Sequence, residues 1–182
     1  MKDRIIIYCG ASGVGKDYLM RKKLEAYPHE AERIVTCTTR PMRPKEFNHI
    51  DYHFISDDEF DVLKLTGKLI EEREYKTALG LWRYGTPYFV NEWCHEYVGV
   101  MDLSGVEAIC KAYPDAEVVV NYVYVPEDIR RERAVKRGGF NKAEWNRRLK
   151  TDEEDFSEEN LAKLNDVLLQ YGNPPIEIVN NY

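Results

Sequence analysis

Lys16 closes the run Gly10-Ala11-Ser12-Gly13-Val14-Gly15 and is followed by Asp17. Gly10 to Asp17 fits the pattern G-x-x-x-x-G-K-[ST] at every required position except the last. In such a loop the glycines let successive backbone N–H groups converge on a phosphate, beside a helix N-terminus that already favours anions. Lys16 would add a point charge to the outer phosphates, so the chemistry implied is nucleotide binding. Asp17 stands where a Ser or Thr hydroxyl would normally meet magnesium. A second group lies at Thr36-Cys37-Thr38-Thr39-Arg40-Pro41-Met42-Arg43-Pro44, where prolines hold a basic, hydroxyl-rich segment out of helix. Arg40 and Arg43 there offer planar forks for bidentate phosphate contacts. Further on, Arg130, Arg133 and Arg137 share one face by helical spacing.

These residues need elements to hold them. Ile5 to Cys9 reads as a strand feeding the loop, and Lys16 to Tyr27 as a helix stopped near Pro28. Ala31–Val35 returns to the sheet. Ile50–Ile55 alternates like a strand, and Ser56 with Glu59 has capping-box spacing for a helix from Asp57 to Thr66. Leu69–Tyr75 and Arg83–Val90 are short strands around a turn at Thr77-Ala78-Leu79-Gly80. Tyr97–Met101 and Val118–Val125, apolar but for Asn121, read as core strands covered on both faces. Helices are expected from Ser104 to Ala112, from Pro126 to a stop at Gly138-Gly139, from Asn141 through Leu149, and from Ser157 to Tyr171, before a last strand at Ile176–Val179. Strands alternating with helices after a phosphate loop imply a doubly wound α/β fold with a parallel sheet.

With 182 residues the chain is about one domain, and no repeat or low-complexity tract interrupts it. The formal net charge of −6 argues against a general nucleic-acid binder. Apolar runs are too short for a membrane span, and Met1-Lys2-Asp3-Arg4 leads straight into a strand with no signal peptide, so a cytoplasmic protein is expected. Cys9, Cys37, Cys94 and Cys110 lack C-x-x-C spacing and read as free thiols, and His29, His49, His53 and His95 lack metal-ligand spacing.

Taken in order, the motifs resemble the guanylate kinases, small P-loop enzymes that move the γ-phosphoryl of ATP onto GMP. The resemblance runs from about residue 4 to 181. Besides the phosphate loop it rests on the Thr36–Arg43 segment, on Asp51-Tyr52-His53-Phe54, on Tyr84-Gly85-Thr86 and on the closing Val179-Asn180. It implies a P-loop kinase core (about 1–35, 91–136 and 147–182), a strand-rich NMP-binding insertion (about 36–90) and a short lid (about 137–146), the last two swinging over bound nucleotides. By resemblance Gly10, Ala11, Ser12, Gly13, Val14, Gly15, Lys16, Asp17 and Asn180 bind ATP. Thr36, Arg40, Arg43, Tyr52, Glu71, Tyr84, Thr86 and Asp102 bind GMP or dGMP. Lys16, Arg133, Arg137 and Arg148 carry the transfer, with Mg2+ as the implied metal. Glu71 would accept from both N–H groups on guanine's Watson–Crick edge, where adenine presents a ring acceptor instead.

Two residues depart from the family pattern. One is Asp17. The other is Val100, on the strand end where the family usually has a second aspartate two residues before Asp102. One carboxylate is thus lost from the strand and one gained in the loop, and Asp17 is the candidate metal-side charge. Ordinary alternatives stand beside these roles. Arg148 follows Glu144 by four residues, the spacing of a surface helix pair, and Glu71 begins a charged run that would otherwise read as a solvated face. Two other functions also fit parts of the pattern. Ribose 1,5-bisphosphate phosphokinase shares Gly-Lys-Asp in its loop but has no use for Tyr52, Glu71 and Thr86. A non-catalytic guanylate-kinase-like binding module would not need the intact glycines and Lys16.

Overall fold

The computed structural model describes residues 2–44, 46–77, 80–91, 96–138 and 140–182. Ala78, Leu79 and Gly139 of the expected turns, together with Cys94 and His95, lie outside the described residues. In chain order the elements are β1 (Arg4–Cys9), α1 (Lys16–Ala26), β2 (Ala31–Arg33), β3 (Cys37–Thr38), β4 (His53–Phe54), α2 (Asp57–Leu65), β5 (Leu69–Thr77) and β6 (Gly80–Pro87). Then come β7 (Glu96–Val100), α3 (Leu103–Ala112), β8 (Glu117–Tyr124), α4 (Glu127–Lys136), α5 (Lys142–Asp155), α6 (Glu158–Gln170) and β9 (Glu177–Asn180).

The chain divides into two compact units, Ile34–Asn91 and the segments on either side of it. The flanking segments build a five-stranded sheet in the order β2-β7-β1-β8-β9, with every pairing parallel. Parallel strands covered by helices must be apolar throughout, and Ile5, Ile7, Val98, Val118 and Val120 are completely buried. On one face Ile6, Val98 and Val119 pack with Met20 of α1. The loop after β1 leaves the carboxyl end of the central strand, where open parallel sheets hold their ligands.

Residues Ile34–Asn91 form a four-stranded sheet in the order β4-β3-β6-β5. The β5–β6 hairpin sets Glu71 opposite Thr86 and Arg73 opposite Tyr84, and β3 sets Thr38 opposite Tyr84. The Ser56 capping box forms: its hydroxyl accepts from the Glu59 N–H while the Glu59 carboxylate accepts from the Ser56 N–H. The strand expected over Ile50–Ile55 shrinks to His53–Phe54. The chain before it instead folds around Asn48, whose Oδ1 accepts from the N–H groups of His49 and Phe54, and His49 takes a left-handed backbone conformation (φ 65°). In the other direction, α5 runs on to Asp155 instead of ending near Leu149.

Candidate active site

The loop from Gly10 to Gly15 turns between β1 and α1 through left-handed backbone that side chains rarely adopt. Gly10 has φ 136°, and a Cβ there would lie 2.5 Å from the Val123 carbonyl oxygen. Gly15, at φ 91°, is the residue from which α1 starts, and a Cβ there would meet the Asn181 amide at 2.5 Å. Glycine is therefore required at both positions. Lys16 folds its ammonium back over the loop and donates to the Gly10 and Ala11 carbonyls at 2.7 and 3.0 Å. Burial pulls the Lys16 pKa below the ordinary lysine value, while Asp17 and Asp152 support its charge and Arg130 opposes it. Asp17 is exposed in the first turn of α1.

Arg133 of α4 reaches the same loop, donating to the Val14 carbonyl at 3.4 Å and to the Asn181 carbonyl at 2.7 Å. Asn181 closes the group by donating its amide to the Val14 carbonyl at 2.7 Å. Its neighbour Asn180, which the resemblance assigns to ATP, is exposed, and its side chain accepts from the Tyr182 hydroxyl. Arg137 and Arg148 line a cavity of about 180 Å³ with Phe140, Glu144 and Trp145. There Arg148 is held by Glu144 at 2.7 Å, in the surface pairing that its spacing allowed. Asp102 caps α3, accepting from the Gly105 N–H at 2.9 Å and from the Ser104 hydroxyl at 2.9 Å. Val100 ends β7 opposite Tyr8 and packs against the Ile6–Met20 cluster, so the strand end presents no charge there.

In the unit Ile34–Asn91 a second polar cluster is assembled. Glu71 accepts from the Thr86 hydroxyl at 2.5 Å and from Arg73, whose Nε is 2.9 Å away. Thr86 is fully buried and the Glu71 side chain is 10% exposed, so this is an interior carboxylate and not a solvated run. Arg73 is a partner that the sequence reading passed over. Once β5 is a strand, its two-residue period puts Arg73 on the face of Glu71. Tyr84, opposite Arg73, stands with its ring 6.1 Å from that of Tyr52. Arg40 is only 3% exposed, with its guanidinium carbon 5.4 Å from the Tyr52 ring. Its fork is taken by Glu46, at 3.0 and 2.9 Å, and Glu46 also accepts from the Arg43 N–H at 2.7 Å. Burial alone would raise the Glu46 pKa, but the Arg40 guanidinium and the Arg43 N–H hold it below the usual carboxylate range. The Arg43 side chain is exposed, and Thr36 enters through its backbone, whose carbonyl accepts from the His53 N–H at 2.9 Å.

Among the described residues no group of three or more His, Cys, Asp or Glu is arranged to hold a metal, and no helix is long and apolar enough to cross a membrane. Cys9, Cys37 and Cys110 are free thiols.

A family model described as guanylate kinase matches residues 2–164. A guanylate kinase of Rubrobacter xylanophilus is 36% identical over 122 residues, 65% of this chain and 61% of that protein. One from Streptococcus pyogenes serotype M3 is 34% identical over 119 residues, 63% of this chain and 54% of that protein. The match thus spans between half and two thirds of the length of these curated relatives. Among solved structures, guanylate kinase from Anaplasma phagocytophilum superposes with a TM-score of 0.60 at 18% identity, covering 99% of this chain and 77% of that one. At that identity the shared property is the fold.

Proposed function

The chain belongs to the guanylate kinase family, and from that premise we propose that it transfers the γ-phosphoryl group of ATP to GMP or dGMP. The observation that carries the reading is the Glu71–Thr86 pair, a buried carboxylate beside a hydroxyl at 2.5 Å. Glu71 would accept from the two N–H groups of guanine, and Thr86 would serve the base carbonyl. A sugar phosphate without a base has no use for such a pair, which disfavours the ribose phosphate alternative. The intact loop and its buried lysine disfavour a non-catalytic module.

In the reaction a GMP phosphate oxygen attacks the γ-phosphorus, the bond to the β–γ bridging oxygen breaks, and ADP leaves. Such a transfer needs positioned charge and no protein nucleophile. The loop amides and Lys16 would bind the triphosphate, Arg40 and Arg43 the acceptor phosphate, and Arg133, Arg137 and Arg148 the charge on the transferring group. Magnesium, when bound with ATP, would neutralise phosphate charge. Asp17 supplies an exposed hard-oxygen donor next to Lys16, which fits that ion directly or through water. Asp17→Ser should then raise the magnesium concentration needed for half-maximal rate. Adding Val100→Asp should recover part of the loss, and full activity of Asp17→Ser at low magnesium would remove Asp17 from that role.

A coupled assay tests the whole reading. ADP should appear with ATP plus GMP or dGMP, and not with AMP or ribose 1,5-bisphosphate. Turnover of the sugar phosphate alone, or of no acceptor, would overturn it.

A further inference from the structure

Ser12, in the middle of the phosphate loop, is held by a carboxylate from 140 positions away. Asp152 of α5 accepts from the Ser12 N–H at 2.9 Å and from the Ser12 hydroxyl at 3.2 Å. Arg130 of α4 binds the same pair, with Nη1 3.3 Å from Asp152 Oδ2 and 3.3 Å from the Ser12 carbonyl oxygen. The Arg130 and Asp152 side chains are 11% and 13% exposed. The backbone of Arg130 lies next to the loop, since a Cβ on Gly13 would be at contact distance, 3.5 Å, from its Cβ and carbonyl oxygen. The Arg130 guanidinium carbon lies 5.9 Å from the Trp145 ring. Two donors of this cluster, Arg130 Nε and Trp145 Nε1, are buried without a hydrogen-bond partner.

A buried N–H with no acceptor is costly to keep, and Arg130 Nε, on a guanidinium already bound at the loop, leaves donor capacity that one carboxylate does not use. Resting on the kinase reading, we propose that Asp152 is a stand-in for a phosphate oxygen at Ser12, and that Arg130 is a further phosphate-binding residue which Asp152 engages until the triphosphate arrives. The carboxylate and the triphosphate are like-charged and compete for the same loop donor, so entry of the triphosphate displaces Asp152 from Ser12. That displacement frees Nη1 of Arg130, whose backbone keeps it beside the loop. The triphosphate has more oxygens and more charge than the carboxylate, and it takes over the freed Nη1 and the unused Nε of Arg130. The cost of displacing Asp152 lowers apparent affinity for ATP, as any minor binding-competent state does.

Calorimetric titration with ATP and with inorganic tripolyphosphate tests this on the parent, on Asp152→Asn and on Arg130→Lys. Asparagine keeps the shape and an acceptor for the Ser12 N–H but drops the charge. Both ligands should bind Asp152→Asn roughly fivefold or more tightly than the parent, as expected on removing one nearby like charge. Arg130→Lys, which keeps the charge but loses the fork, should bind them roughly fivefold or more weakly. A purely structural strut would instead weaken binding in both variants, and that result, or unchanged affinity in Asp152→Asn, overturns the proposal. A measurement independent of those variants uses a chain carrying Trp82→Phe and Trp93→Phe, so that Trp145 alone reports. Its emission should change on saturation with tripolyphosphate, and a constant signal counts against displacement of the pair. If the parent binds neither ligand, the kinase reading falls and takes this proposal with it. If the parent binds both and Asp152→Asn binds no better, only the proposal falls.

Discussion

Glu71 is held by Thr86 and Arg73, and under the proposed function it would also have to face a base. Glu71→Gln keeps the volume but replaces an acceptor by a donor opposite one guanine N–H. The kcat/KM for GMP should fall by an amount equivalent to about 2–4 kcal/mol, with ATP binding unchanged, because a buried polar mismatch costs far more than a lost surface contact. An unchanged GMP rate would remove Glu71 from base recognition. Lys16 poses the opposite balance. Its folded pKa lies below the ordinary 10.5 because burial opposes the charge. Between the folded and the ordinary pKa the unfolded chain binds more protons, so stability rises with pH there, and at neutral pH the buried charge works against folding. Lys16→Met should therefore melt no lower than the parent without ligand, while kcat falls roughly 10²–10³-fold, the scale of losing one preorganised charge at a transition state. Melting several degrees below the parent would show that the two carbonyl bonds of Lys16 outweigh its burial.

Among the elements, α5 shows what can and cannot be read from sequence. Its start was legible because capping is local: Asn141 Oδ1 accepts from the Glu144 N–H at 3.0 Å. Its end was not. The run Thr151-Asp152-Glu153-Glu154-Asp155 places acids at the C-terminal end of a helix, against its dipole, and local rules stop the helix before it. The contact of Asp152 with Ser12 and Arg130 outweighs that local cost, and no spacing rule reaches across 140 positions. The phosphate loop, by contrast, was fully legible, since strand, glycines, lysine and helix are contiguous. The same helix carries a pH-sensitive contact. Hydrogen bonds from Arg147 hold the Glu144 carboxyl down to about 2; burial opposes this, and Arg148 adds to the lowering. A depressed folded pKa means that the contribution is complete above the unfolded value of about 4.5 and is lost as pH falls towards about 2. Because Glu144 is 43% exposed, that contribution is only about 0.3–0.5 kcal/mol after screening. A carboxyl titration by NMR should put the Glu144 midpoint below 4.5 in the parent and move it upward in Arg147→Ala. A parent midpoint no lower than that of Arg147→Ala would mean that Arg147 does not hold it in solution.

For the whole molecule, charge is organised by place and not by total. The chain carries a formal net charge of −6, yet it gathers Lys16, Arg130 and Arg133 around one loop and Arg40 and Arg73 in the unit Ile34–Asn91. Each cluster already carries a carboxylate of the chain itself, Asp152 in the first and Glu46 and Glu71 in the second. Pairing cationic groups of such density with the chain's own carboxylates limits the cost of interior charge. Each substrate should then report on its own unit. In hydrogen exchange, inorganic tripolyphosphate should protect the amides of Gly10 to Lys16 and of α4, with little effect on β3, β5 and β6. GMP should protect the segment around Arg40 and the β5–β6 hairpin, with little effect on the phosphate loop. The pattern separates assignment from activity, since it needs no turnover. Protection of the phosphate loop by GMP alone would mean that the two clusters have been given the wrong ligands. Protection of the hairpin by tripolyphosphate alone would show that Arg40 answers to any polyphosphate and that Glu71 does not select by base.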